Sequence, residues 1–561
     1  MRALSRASLA ALMVLAFAAI PGPASADPAA PCDIPASHRV AQVQGGGEAS
    51  PLAGQTVRVE GVVTADFQRT DQLSGFFLQD PRPDADPMTS EGLFAYARDT
   101  VKDVNVGDRV LVTGRVIEYN GWTELSPVTV VDVCGTGRVA AQSYRLPAEN
   151  LEPVENMLLS IGQPLTVSEH YNLGRYGEVT LSSQGRLFQP TDRPGVDAAR
   201  NARRSLLVDD ASNRENPATL PPIVRTGDVA FGVTGVLGYG FGKYRLQPTE
   251  PIAYKNTNPR LPRPFPVIGN VRVASFNTLN WFTTLGSRGA TNAEEQQRQL
   301  AKLVAALKGI NADAVALMEV ENNGQTALQA LVDAVNAEVG AGTYAALTHP
   351  HPGTDAIQVG LIYKPAKLTP VGAPKASEDP VFSRPPLIQT FKRKGGGQQF
   401  TMLVNHLKSK GSCPSSGPDA DQGDGQSCWN PTRVAQAKAL LGIVEDQELP
   451  GPIVLGDLNA YGEEDPIDTL EAGGLTSVTK RFVPAPLRYS YLFDGLAGEL
   501  DHAMVGKTLL RRVTSATIWH INADEPRIRD YNTEYNPPGL YRPDAYRSSD
   551  HDPLVIGLTL R

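Results

Sequence analysis

A change of period constrains this chain more than any other feature. From Cys32 to about residue 256, apolar residues alternate in twos between glycine turns, as in "TVRVEGVVTADF", "GFFLQD" and "DRVLVTGRVIEY". Period two marks strands with one buried face. A polar, proline-rich stretch, "NTNPRLPRPFPVIGN", then breaks the pattern and reads as a linker. Beyond it strands alternate with helices. "VRVASFNTLNWF" is a strand running into a loop, and "TNAEEQQRQLAKLVAALKG" is an amphipathic helix with Leu300, Leu303, Val304 and Leu307 on one face. Thr291 and Glu294 have the spacing of a capping box at its start. "DAVALMEVEN" is a buried strand ending in acids, a second helix spans about 326–339, and the strands "VGLIYK" and "FTMLVNH" follow. "PTRVAQAKALLGIVED" is a helix with Pro431 in its first turn, before another strand, "PIVLGDLN". That alternation predicts a layered α/β domain.

At 561 residues the chain exceeds one ordinary core. An internal echo, "VGDRVLVTGRVIEYNGWTELSP" against "TGDVAFGVTGVLGYGFGKYRLQP", predicts two small β-barrels in tandem. The expected organisation is an export signal at 1–26, a β-barrel at 32–137, a second β-rich module at 138–256, a linker at 257–270 and the α/β domain at 271–561. The signal is read from Arg2 and Arg6, the apolar run Leu9 to Ile20 and the Ala24-Ser25-Ala26 cleavage pattern. The apolar run is too short to span a bilayer, and no later stretch is long enough. Export makes four cysteines read as disulfides, paired Cys32–Cys134 and Cys413–Cys428. A zinc site is disfavoured because neither pair has a His or Cys at ligand spacing. A net charge of -8 argues against nucleic-acid binding through bulk field alone. A locally basic cleft or a bound cation escapes that argument.

Apolar strands of the α/β region end repeatedly in the same polar types: Asn277 in "VASFN", Glu319 in "VALME", His406 in "MLVNH", and Asp457 and Asn459 in "IVLGDLN". "ELDHAMV" holds Asp501 and His502, and Asp550 and His551 precede the last strand. Carboxylates and amides suit Mg²⁺, Ca²⁺ or Mn²⁺. Imidazoles can exchange protons with water or a leaving oxygen near neutrality. Singly, each residue also reads as a turn, cap or surface residue.

As an ordered set, "SFNTLN", "LMEVEN", "VNHLKSKG", "GDLNAY", "LDHAMV" and "SDHDPL" resemble the endonuclease/exonuclease/phosphatase superfamily. "MEVENNG", "NHLKSKGSC…GQSCWNPTR" and the β-rich N-terminal region are similar to the ExeM/NucH-type bacterial extracellular endonucleases, and the first module resembles an OB-fold domain. The resemblance implies a four-layer α/β sandwich following OB-fold-like modules. Glu319 would be the main metal carboxylate, assisted by Asn277 and Asp550, with Mg²⁺ the expected ion and Mn²⁺ or Ca²⁺ its competitors. His551 would be the general base oriented by Asp501, and His406 would hydrogen-bond the phosphate and protonate the leaving O3′. Asp457 and Asn459 would position the nucleophile or a second ion. Arg384, in "FSRPPL", would contact phosphate, with Asn405 and Lys408 also on the substrate side. Asp355 is the candidate carboxylate partner for His406. His502 stands where the superfamily usually has an aromatic, and on a strand it points away from Asp501.

The implied activity is a secreted, monomeric, metal-dependent endonuclease on DNA or RNA with little sequence specificity, needing no stable protein partner and no membrane. A secreted phosphomonoesterase or sphingomyelinase-like phosphodiesterase is the competing expectation on the same scaffold. Tyr119 and Trp122 in "EYNGWTEL" would either stack bases or pack the barrel mouth.

Overall fold

A computed structural model describes residues 31–217 and 219–561, and the expected export signal lies outside them. The alternating N-terminal segments form five strands, Thr56–Phe67, Gly75–Gln79, Gly92–Ala95, Asp108–Tyr119 and Trp122–Thr136, closed into a barrel in the order first, second, third, fifth, fourth. Their inward positions, among them Val57, Val59, Phe76, Leu78, Val110 and Val112, fill it. The expected Cys32–Cys134 disulfide ties the entry turn to the last strand.

One face of the barrel carries Phe77, Phe94 and Trp122, with the Phe94 and Trp122 rings stacked at 4.4 Å. These aromatics pack on Leu158 and Val236 of the second module, and Trp122 Nε1 donates to Asn156 Oδ1 at 2.7 Å. The base-stacking reading of Trp122 is thereby corrected: the ring joins two modules. Tyr119 is exposed.

The second module is a nine-stranded sheet rather than a second barrel. The internal echo survives as one antiparallel hairpin in each module, Asp108–Tyr119 with Trp122–Thr136 and Val233–Gly240 with Lys243–Pro248. In each module a short strand runs parallel beside that hairpin, Gly92–Ala95 in the first and Ser205–Val208 in the second, but the second sheet stays open, with Ala253–Lys255 and Gln142–Ser143 at its two edges. The 257–270 stretch is no free tether, since Asn258 Nδ2 donates to Asp524 at 2.6 Å and Trp519 Nε1 to Leu261 O at 2.8 Å.

Two six-stranded sheets build the rest. At the centre of the first, Val271–Trp281 and Ala314–Glu321 run parallel, flanked by the antiparallel strands Leu554–Leu558 and Ile357–Tyr363. At the centre of the second, Phe400–His406 and Pro452–Asp457 run parallel, flanked by Asp501–Gly506 and Leu387–Arg393. Val273, Met318, Met402, Leu455 and Ile556 interlock between the sheets. The helices Ala293–Ile310 and Thr326–Val339 cover the first sheet, and Asn430–Asp446 with Asp465–Ala472 cover the second. The order is helix, sheet, sheet, helix. The first helix starts one residue later than its pattern suggests: Asn292 is the cap, and the Glu295 carboxylate, not that of Glu294, accepts from Thr291.

Candidate active site

Each sheet has a parallel central pair, and side chains at the C-terminal ends of all four strands converge on one rim. In the second sheet His406 is in register with Asp457, and Asp457 with Asp501. Lateral neighbours in a sheet share a face, so the three form a row. In the first sheet Asn277 and Glu319 end the parallel pair, and both strands break register there. Glu319 is held at φ 61°, a left-handed conformation unusual for a residue with a side chain. Such backbone persists where the surroundings over-determine it. Here the Asn280 N–H donates to Glu319 Oε2 at 2.9 Å, while Asn277 Nδ2 donates to Glu319 Oε1 at 3.1 Å and to Asp457 Oδ2 at 3.2 Å. One amide thus bridges carboxylates from opposite sheets.

His551 closes the site from the turn before Leu554–Leu558. Its Nδ1 lies 2.7 Å from Asp501 Oδ2, its Nε2 lies 3.8 Å from Asp457 Oδ2, and the Tyr491 ring centre is 4.6 Å away. His406 Nε2 lies 3.5 Å from that same Asp457 oxygen. Asp550 stands partly exposed beside them. Asn459, at φ 48°, donates its N–H to Asp457 Oδ1 at 2.9 Å and its amide to Leu407 O at 3.1 Å, fixing the turn after the strand.

Burial, with the negative charges of Asp550 and Asp457, pushes the Glu319 carboxyl up to about 7. Burial and Asp501 push Asp457 up to about 6 against the pull of His551. His551 moves well above the usual imidazole range, because the carboxylates of Asp501, Asp457 and Asp550 outweigh its burial. His406 moves well below that range through burial, with Arg384 and His551 as unfavourable neighbours.

Four expectations change. Arg384 is buried, and its N–H groups go to the carbonyls of His406 and Leu407 and to Asp355, so it braces the strand end rather than facing phosphate. Asp355 pairs with Arg384 and Arg288 and is no partner of His406, whose Nδ1 bonds to nothing among the described residues. Strand alternation turns Asn405 away from the row, where its amide donates to Leu403 O and Leu455 O. Lys408 places its ammonium 4.5 Å from the Trp429 ring centre, at the base of the loop closed by the expected Cys413–Cys428 disulfide. His502 is fully buried and meets Ala460 O at 2.8 Å, as its parity requires. Tyr491 and Ser490 escape sequence reasoning. Ser490 lies in a bend and Tyr491 opens the short strand Tyr491–Phe493, and only their distant partners give them meaning.

Oxygen and nitrogen ligand atoms of Glu319, His406 and Asp457 all lie within 4.8 Å of one another. With both carboxyls raised by burial and by neighbouring carboxylates, Asp550 and Asp457 beside Glu319 and Asp501 beside Asp457, the donor set fits a hard divalent cation, which would relieve that cost. No helix among the described residues is long and apolar enough to cross a membrane. The two disulfides suit an oxidising environment.

The fold is a two-sheet sandwich with carboxylates and imidazoles gathered at one rim, a donor set suited to phosphate-ester hydrolysis. Residues 273–551 match the endonuclease/exonuclease/phosphatase family, so the chain carries a domain of that family and is an enzyme acting on phosphate esters. Residues 147–258 match a domain of unknown function. No curated protein matches the chain. Similar solved structures include a humanized D. rerio TDP2 (15% identity, 51% of this chain and 97% of that one, TM-score 0.34). The human Nocturnin catalytic domain shares 20% identity over 54% of this chain and all of its own, with TM-score 0.34. A Bacteroides thetaiotaomicron mannosyl-6-phosphatase shares 17% identity over 51% of this chain and 99% of its own, with TM-score 0.35.

Proposed function

We propose that this is an exported, divalent-metal-dependent endonuclease that hydrolyses phosphodiester bonds of DNA or RNA with little sequence specificity. The observation that carries the reading is the 2.7 Å His551–Asp501 hydrogen bond facing Glu319, Asp457 and Asn277. With Asp501 accepting from Nδ1, the neutral ring presents the Nε2 lone pair to a water molecule. As the water oxygen forms its bond to phosphorus, its proton passes to Nε2, the phosphorus–O3′ bond breaks and the leaving oxygen takes a proton from solvent water. Glu319, Asp457 and Asp550 would hold the cation, which supplies positive charge against the nonbridging oxygens. His406, kept neutral, is suited to donate a hydrogen bond to the phosphate, and its low basicity argues against the acid role toward O3′. The first barrel's strand order supports the OB-fold-like reading, with its aromatic face spent on the neighbouring module.

Incubation with closed circular plasmid tests the whole reading. Nicked and linear products with Mg²⁺ or Mn²⁺, abolished by EDTA, are expected. An intact circle alongside hydrolysis of a phosphomonoester or sphingomyelin would overturn it in favour of the competing phosphatase or phospholipase activity.

A further inference from the structure

One of the segments by which the second module reaches the catalytic domain is Arg186 to Arg193. Leu187 O accepts from Ala497 N at 3.0 Å and Gln189 N donates to Ala497 O at 2.9 Å, so the segment pairs edge-on with the strand Leu496–Gly498. Asp192 Oδ1 then takes the N–H of Glu499 at 2.8 Å. The next two N–H groups along, those of Leu500 and Asp501, both donate to Ser490 Oγ at 3.1 Å. With the Ser490 N–H donating to Gly498 O at 3.0 Å, five consecutive residues ending at Asp501 are fixed from outside, two of them by the module.

A second line of contacts starts from Arg186. Its guanidinium pairs with Asp524 at 2.9 Å and lies 4.4 Å from the Tyr489 ring centre. Tyr489 donates to Asp524 at 3.0 Å and stacks on His520 with centres 4.0 Å apart and planes 7° apart. His520 meets the Asp552 carboxylate at 2.8 Å, and the Asp552 N–H donates to Ser490 O at 2.8 Å. Thr226, also from the module, donates its hydroxyl to Asp524 at 2.6 Å and accepts from Arg186 at 2.9 Å. The residues 489–491 are thus a relay. Tyr489 is clamped by the module, Ser490 holds the backbone of Asp501 and of His551's neighbour, and Tyr491 lies on the His551 ring.

We propose that the module at 147–258 is a working part of the active site, in which Arg186 and its segment position the Asp501–His551 pair through Tyr489, Ser490 and Tyr491. The inference rests on the reading of His551 as the base, and its test separates the two. A hydrogen bond of 2.7 Å between an imidazole N–H and a carboxylate depends steeply on orientation, and its donor and acceptor come from different sheets. Small rotations of either turn break it. Pinning both turns to a third body is the remedy this chain uses. Arg186 is then a positioning residue, because it touches neither substrate nor reacting atoms.

The test uses the full chain with Arg186→Ala, Arg186→Lys and the near-isosteric Thr226→Val, and Trp122→Ala at the barrel–module contact as control. Two readouts are taken: kcat and KM on a short oligonucleotide, and the downfield proton resonance of the His551–Asp501 hydrogen bond. For Arg186→Ala the expected result is kcat lowered about tenfold or more, KM within about twofold, and the resonance lost, since misplacing a catalytic group by a fraction of an ångström is costly. Arg186→Lys restores part of both, and Thr226→Val lowers kcat about threefold. Trp122→Ala lowers the melting temperature and changes neither readout. The proposal is overturned if kcat per folded molecule and the resonance are unchanged in Thr226→Val and in whichever Arg186 variant folds. Loss of the resonance in Arg186→Ala with His551→Ala fully active would instead sink the base reading and leave the brace standing.

Discussion

His406 and His551 approach the same atom, Asp457 Oδ2, at 3.5 and 3.8 Å, and both are buried. They nevertheless titrate in opposite directions. What differs is the far nitrogen. His551 turns its Nδ1 to the Asp501 carboxylate, whereas Nδ1 of His406 bonds to nothing among the described residues and Arg384 stands nearby. Burial disfavours charge on both rings alike, so the sign is decided by which charge each sheet places behind its imidazole. One chain thereby obtains a basic and a non-basic histidine from neighbouring strand ends.

Removing each ring gives the largest effect and the sharpest contrast. His551→Ala is expected to lower turnover by about 10²–10⁴, the usual worth of a proton-transfer group. His406→Ala is expected to lower it by about 10²–10³, the usual worth of a hydrogen-bond donor to developing charge. A p-nitrophenyl phosphodiester, whose leaving group needs no proton, separates the roles. The His406→Ala deficit should persist on it. If that deficit vanishes while His551→Ala stays inactive, His406 is the acid, and the contrast drawn from its depressed basicity is wrong.

The carboxylates behind the rings come next. Asp501→Asn removes the acceptor that orients His551 and should cost up to about 10⁴-fold in turnover, the loss when the carboxylate behind a general-base histidine becomes an amide. Asp355→Asn weakens the pairs with Arg288 and with the Arg384 brace behind His406, touches neither imidazole and should cost less than about tenfold. Equal losses in steady-state kcat would mean that both histidines depend on a rear carboxylate, against the geometry.

The row of strand-end residues was legible in the sequence because strands are local. A period-two apolar run ending in Asn277, Glu319, His406 or Asp457 announces both the strand and its last side chain. Parity also placed His502 away from Asp501. Arg384 and Asn405 were misassigned for the same reason the rest was hidden. Where a long side chain spends its hydrogen bonds depends on neighbours brought up by sheet register, such as Leu407 O or Asp355, and no local spacing encodes that. The contacts of Arg186 with Tyr489 and Asp524 lie still further from local pattern, joining segments some three hundred residues apart. The second barrel failed because the hairpin echo covers only two of the nine strands of that sheet, and the pairings that leave it open involve segments outside the echo.

The smallest effect is a pH dependence of cation stabilisation, and it tests whether the two sheets share one charge cluster. Glu319 from the first sheet is pushed up to about 7 and Asp457 from the second to about 6. A carboxyl whose folded value is raised keeps its proton longer in the native state, so stability falls as pH rises from the unfolded value to the folded one. His551 points the same way: its contribution is complete below the ordinary imidazole value and is lost as pH rises through its higher folded value. Cation-free protein should therefore lose melting temperature from about pH 5 to about pH 8, by a few degrees for each kcal/mol at this size. A cation binds the ionised carboxylates and offsets the loss, so the shift produced by Mg²⁺ over EDTA should be small near pH 5 and grow through pH 6–7. Glu319→Gln should raise the cation-free melting temperature at pH 8 and remove most of the Mg²⁺ response, because it deletes the charge that the cation neutralises. A Mg²⁺ shift independent of pH, or one unchanged in Glu319→Gln, would place the ion elsewhere and dissolve the pairing of the two sheets at this rim.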